Sequence, residues 1–163
     1  MVKSNMKGNN SFILVSIVIG IILQIIPMPS PIDLYRPDWL LLILIYWSMA
    51  LPNRVSVGIA AVAGLTLDIL YGTALGVHSF ALAIPIYLVS ANYQRLRNYS
   101  MLQQAVMILL LSTLFHVVVY WLQYLITGIE FNWIFLRPAV SSIIFWPWLF
   151  WLLRKFRRNL RVT

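Results

Sequence analysis

The side chains able to do chemistry are few: Asp33, Asp38, Asp68 and Glu130, two histidines, no cysteine, and hydroxyls scattered along apolar stretches. Without a thiol there are no disulfides, thiol nucleophiles or thiolate metal sites. Asp33 and Asp38 lie five positions apart with Arg36 between them. Paired carboxylates can do acid–base work, but in a loop this spacing fixes no geometry. Asp38 reads better as a helix start, where a carboxylate suits the N-terminal dipole. No glycine-rich phosphate loop, metal-ligand pair at i, i+4 or Gly-x-Ser-x-Gly elbow occurs. Ser48, Ser56, Ser90 and Ser112 lack an evident His/acid arrangement. The expectation is a protein that is no enzyme, with no cofactor and no metal.

Polar residues inside the apolar stretches say more. Ser112, His116, Tyr120, Gln123 and Thr127 follow helical steps and form one stripe. His116 lies 15 residues beyond Met101, while Asp68 and Gln24 lie 14 beyond Arg54 and Asn10. At 1.5 Å per residue each is about 21–23 Å along its helix, in the outer half of a bilayer core. A carboxylate facing lipid at the bilayer centre costs about 2.5–3.5 kcal/mol, so Asp68 should face protein or water. Two arrangements satisfy this. Gln24, Asp68 and His116 could line a polar cluster or a small outward-opening cavity. Alternatively, Asp68 bonds the turn from Tyr71 to Gly76 while His116 bonds a neighbouring helix.

The elements that must hold these residues follow from composition. Of 163 residues, 61% are hydrophobic and only 10% charged, against about a quarter charged in soluble domains. The uncharged runs Gly8–Ile32, Ile69–Gln94 and Asn98–Ile129 each exceed the roughly 18–20 residues that cross a bilayer core. The expected fold is all-α: a polytopic membrane protein with six transmembrane helices at about 11–28, 38–52, 55–71, 77–93, 101–127 and 138–154. Turn residues separate them: Pro27, Pro29 and Pro31; Pro52 and Asn53; Gly72 to Gly76; Asn98 to Ser100; and Gly128. The second and sixth spans are short, and Arg36, Arg54, Arg137 and Arg154 flank them and can snorkel to the interfaces.

A net charge of +8 in a soluble protein would point to nucleic acid; here its distribution reads as topology, and no nucleic acid is expected. With six crossings and an inner N-terminus, Lys3, Lys7, Arg54, Arg95, Arg97, Arg154, Lys155, Arg157, Arg158 and Arg161 fall inside. Only Arg36 and Arg137 fall outside. Both termini are therefore expected in the cytoplasm. No small-x-small cleavage site closes the first apolar run, so it reads as a retained span and not a signal peptide. Extramembrane pieces of about ten residues leave one integral membrane domain, 1–163.

Other residues read as contact devices. Gly58, Ala60, Ala61, Ala63 and Gly64 make one side of the third helix small, permitting close approach of another helix. Trp146, Trp148 and Trp151 crowd the last helix; the first two sit deep and suit lipid or a partner helix. Candidate partner-binding residues are thus Ala60, Gly64, Trp146, Trp148 and Trp151. The basic tail should also attract anionic lipids.

Taken in order, three features carry a resemblance. Tyr35-Arg36-Pro37-Asp38-Trp39-Leu40-Leu41 enters the second helix, Leu67-Asp68-Ile69-Leu70-Tyr71-Gly72 ends the third, and Trp146-Pro147-Trp148 precedes a basic tail. Together with six short helices they resemble the MreD family of bacterial rod shape-determining proteins, over essentially the whole chain. The resemblance implies an inner-membrane subunit of the cell-elongation complex, in which MreC, the MreB filament, RodA and its penicillin-binding transpeptidase organise lateral peptidoglycan synthesis. It implies a helical fold similar to the substrate-binding components of energy-coupling-factor transporters, and it brings no catalytic residue. The expected function is a non-catalytic scaffold binding MreC within the membrane. The alternative is a small-solute-binding transporter subunit using the Gln24/Asp68/His116 region.

Overall fold

Turn chemistry decides where the helices stop. The computed structural model describes residues 3–30, 32–128, 130 and 132–159, with side chains for 10–134 and 136–159 among them. Pro31, Ile129 and Arg161 lie outside the described residues, as do the side chains of Lys3 and Lys7. The described residues are all-helical: α1 Lys3–Ile25, α2 Trp39–Ala50, α3 Val57–Tyr71, α4 Val77–Ala91, α5 Tyr93–Arg97, α6 Met101–Thr127 and α7 Arg137–Asn159. Short 3-10 turns occupy Ile32–Tyr35 and Trp133–Leu136.

α6 has the bounds expected from sequence because both its ends are chemically marked. Ser100 and Gln103 form a reciprocal capping box, and Gly128 closes the helix in the left-handed region at φ 68°. α2 ends at Ala50, since Pro52 disfavours helical backbone in the residue before it. Beyond shifts of one to three residues at other helix ends, the structure departs from the sequence reading in larger ways. α1 begins at Lys3, the chain from Tyr93 to Arg97 makes a separate short helix, and α7 continues through the basic residues to Asn159. Among the described residues, Met101–Thr127 alone is long and apolar enough to cross a membrane by itself; Asn10–Ile25, Val57–Tyr71 and Val77–Ala91 are shorter apolar helices.

The core is built round α2. Every residue from Leu40 to Met49 is buried, as suits a helix apolar on all sides. α2 packs against α1, α4, α5 and α7. Gly20 lets α1 approach: a Cβ there would lie 2.8 Å from Ile43 Cδ1. Where large side chains face outward they are mostly apolar, including Leu102, Leu110, Ile144, Trp148 and Trp151. A soluble monomer rarely shows so continuous an apolar exterior.

Three of the expected partner-binding residues, Ala60, Gly64 and Trp146, are buried within the chain. Ala60, Ala63 and Gly64 are buried, and Gly64 lies in the packing of α3 on α4, where a Cβ would lie 2.4 Å from Ser79 Cα. At Gly64 the small face admits the protein's own backbone, that of Ser79 on α4. Trp146 is likewise wholly buried, its indole N–H donating to Gln104 Oε1 at 3.2 Å. Trp148 and Trp151 remain outside, 54% and 57% exposed.

Candidate functional site

Both carboxylates that enter the helical core are buried, and each is held by a histidine. Asp38 sits at the N-cap of α2 but makes no side-chain cap hydrogen bond. Its carboxylate turns to other helices, because Ser112 and His116, one turn apart on α6, both face it. The Ser112 hydroxyl donates to Oδ2, and His116 Nε2 lies 2.9 and 3.0 Å from the two oxygens. The Asp38 N–H donates to Ser142 Oγ of α7 at 3.0 Å. The Ser142 hydroxyl can in turn donate to the Pro138 carbonyl at 2.8 Å or to Asp38 Oδ2 at 3.4 Å. Asp38 thus ties α2 to α6 and α7. Asp38 does start α2, as its sequence position suggests, but its carboxylate bonds the Ser112 hydroxyl and the His116 imidazole and makes no cap hydrogen bond to its own helix.

Asp68, fully buried on α3, does for α4 what α4 cannot do for itself. Gly76, the N-cap of α4, has no side chain to cap with. Asp68 Oδ2 accepts the N–H of Gly76 at 2.9 Å, and Oδ1 accepts that of His78 at 3.0 Å. Thr73 Oγ1 donates to Oδ1 at 3.0 Å, and His78 Nδ1 lies 2.8 Å from the same oxygen. An anion at a helix N-terminus meets unpaired N–H groups and the positive end of the dipole. The turn between α3 and α4 needs glycine at Gly72 and Gly76, whose φ values are 66° and 103°.

The two ties flank one small cavity of about 110 Å³. Gln24, Asp38, Tyr71, His78 and His116 are its polar lining, and leucines from α2, α3 and α4 complete it with Phe115 and Val119. Of the three residues grouped from sequence, Gln24 and His116 line it, and Asp68 lies behind His78, bonded to the α3–α4 turn. The partner of His116 is Asp38, not Asp68. Gln24 meets the other elements through its backbone carbonyl, which accepts from Tyr71 OH at 2.8 Å and from Arg36. Its Oε1 is buried without a partner among the described residues. His78 and Ser142 were not singled out in the sequence. Nothing in their spacing marks them, because their partners come from other helices.

Ser112, Asp38 and His116 are the three residue types of a hydrolytic triad, but in the wrong order. The Ser112 hydroxyl donates its hydrogen bond to the carboxylate, where that of a nucleophilic serine would donate to the imidazole. No group of three or more His, Cys, Asp or Glu suited to a metal occurs among the described residues. The geometry holds helices together.

Fold and site thus define an all-helical protein with an apolar exterior, braced internally by two Asp–His ties. A family model described as rod shape-determining protein MreD matches residues 6–156. The curated Rod shape-determining protein MreD of Haemophilus influenzae is 35% identical over 145 residues, covering 89% of this chain and 90% of that protein. No solved structure matches. The chain belongs to the MreD family of rod shape-determining proteins, a membrane-associated family with a role in cell shape.

Proposed function

We propose that this chain is a non-catalytic scaffold, one integral membrane domain that crosses the bacterial inner membrane six times with both termini in the cytoplasm. In this reading it binds MreC within the membrane and helps to position lateral peptidoglycan synthesis by MreB, RodA and its penicillin-binding transpeptidase. The observation that carries it is the family match over residues 6–156. The grouping of charge supports the orientation. Arg97, Arg154 and Arg157 share one cleft, whereas Arg137 stacks over Tyr35, beside Arg36, with its guanidinium 5.4 Å from the ring centroid.

With so little chain outside the helices, recognition must run through helix faces in the bilayer, where packing and interhelical hydrogen bonds drive association. The free face on α7 is the stripe Val140, Ile144, Trp148 and Trp151, in steps of four, four and three, all exposed. That face is the proposed MreC contact. Depleting the protein in a rod-shaped host should turn cells round, and MreC should co-purify with it. Alkaline phosphatase fused after Glu130 should be active, and fused after Arg97 or Thr163 inactive. Normal rods after complete depletion would overturn the functional reading, and an active fusion at Thr163 the six-span one.

A further inference from the structure

At the opposite end of α2 from Asp38, a cleft of about 420 Å³ opens between α2, α5 and α7. Its lining includes Tyr46 and Met49 of α2, Arg97 of α5, and Phe150, Arg154 and Arg157 of α7. Three arginines from two helices line it, with no Asp or Glu among the lining residues. Among the described residues the ion pairs are Arg36–Asp33, His78–Asp68 and His116–Asp38, so none of these three arginines has an acidic partner. Like charges held together repel unless an anion joins them.

A second observation points the same way. Tyr46 is 2% exposed, and its hydroxyl is buried with no hydrogen-bond partner among the described residues. Its ring cannot swing away to find one: it is wedged edge-on against Trp47 and Phe150, with centroids 5.3 and 5.5 Å away. Leaving a buried O–H unpaired is unfavourable, and a ligand in this cleft would supply the acceptor.

We propose that the cleft binds a phosphate-bearing anion. The arginines donate charge-assisted hydrogen bonds to the phosphate oxygens, a geometry their planar forks suit, and the Tyr46 hydroxyl donates one more. The phosphate belongs either to a phospholipid headgroup, whose first carbons would lie on Met49 and Phe150, or to a free ion. The site depends neither on the membrane orientation nor on the MreC contact proposed above.

The test uses the full-length protein in detergent, titrated with phosphatidylglycerol, phosphatidylcholine or inorganic phosphate and read by native mass spectrometry and thermal melting. Phosphatidylglycerol should bind more tightly than phosphatidylcholine, or inorganic phosphate should bind on its own. Arg97→Gln and Arg157→Gln should each weaken that binding about tenfold. Tyr46→Phe should weaken it about threefold without lowering the melting temperature of the ligand-free protein, since the lost hydroxyl has no partner there. Lys155→Gln, whose ammonium stacks on Trp151 outside the cleft, should change nothing. Phosphatidylglycerol binding that survives excess inorganic phosphate assigns the site to a headgroup; displacement by phosphate assigns it to the free ion. Equal binding of both lipids with none of phosphate would overturn the proposal. So would arginine variants that bind like wild type, or a Lys155→Gln loss as large as that of Arg157→Gln, which would mean a diffuse basic field in place of a site.

Discussion

His116 Nε2 lies 2.9 Å from the carboxylate of Asp38, 78 positions earlier in the chain, and the Ser112 hydroxyl meets the same carboxylate from one helical turn away. One side chain therefore fixes the entry of α2 against α6, while its N–H reaches α7 through Ser142. α2 is the buried centre of the fold, so this tie sets the helix round which the others pack.

Removing that carboxylate should cost more than any surface change. Asp38→Ala takes the acceptor from the buried Ser112 hydroxyl and the part-buried His116 imidazole, and should lower stability by about 3 kcal/mol. Asp38→Asn keeps an acceptor for one donor and should fall between Ala and wild type. Thermal unfolding in detergent, with membrane levels by immunoblot, measures both. An Asp38→Ala variant as stable as wild type would mean that the tie contributes nothing.

Asp68 should be less tolerant of asparagine than its isosteric shape suggests. Both oxygens accept, from Thr73, Gly76 and His78, so an amide NH₂ on either side faces another donor. Asp68→Asn should cost about 1–3 kcal/mol, and Asp68→Leu, which strands every donor, about 3–5 kcal/mol. Accumulation should rank wild type, Asn, Leu. Equal levels for Leu and wild type would show that the α4 N-terminus needs no cap.

These ties mark the limit of what the sequence alone discloses. The bounds of α6 are legible because Ser100, Gln103 and Gly128 are local signals, and α2 is legible as buried because it is apolar all round. Asp38 is legible as the start of α2, but its bonding partners are not, because they lie 74, 78 and 104 positions away. The small face of α3 is plain in sequence, but what fills it is not. Spacing cannot separate a neighbour in the same chain from a partner chain, and here the occupant is α4. Trp146 and Trp148 read alike two positions apart, and helix rotation puts one in the core and the other outside.

The glycines of α3 should separate cleanly. Gly64→Ala places a Cβ 2.4 Å from Ser79 Cα and 2.5 Å from its nitrogen, backbone that cannot yield without shifting α4. It should destabilise by about 1–3 kcal/mol. At Gly58 a Cβ would meet only Ser56 Oγ at 3.7 Å, so Gly58→Ala should be neutral or stabilising by up to about 1 kcal/mol through helix propensity. Melting temperatures of the two variants test this, and equal values would mean that α3 and α4 pack less closely than described.

The tryptophans of α7 offer the sharpest division between stability and partnership. Trp146 is wholly buried and bonded to Gln104, so Trp146→Ala should open a cavity and cost about 3–5 kcal/mol, lowering accumulation. Trp148 and Trp151 lie on the exposed stripe and brace little of the core. The Trp148→Ala, Trp151→Ala double variant should insert and accumulate close to wild type. If that stripe is the MreC contact, the double variant should retain less than a third of the co-purified MreC and fail to restore rod shape to depleted cells. Aromatic residues that anchor interfaces commonly cost at least 1 kcal/mol each when truncated, enough for a loss of that size. Should the double variant accumulate normally, hold MreC fully and rescue shape, the contact must lie on another helix, while the buried ties and the family assignment would stand unchanged.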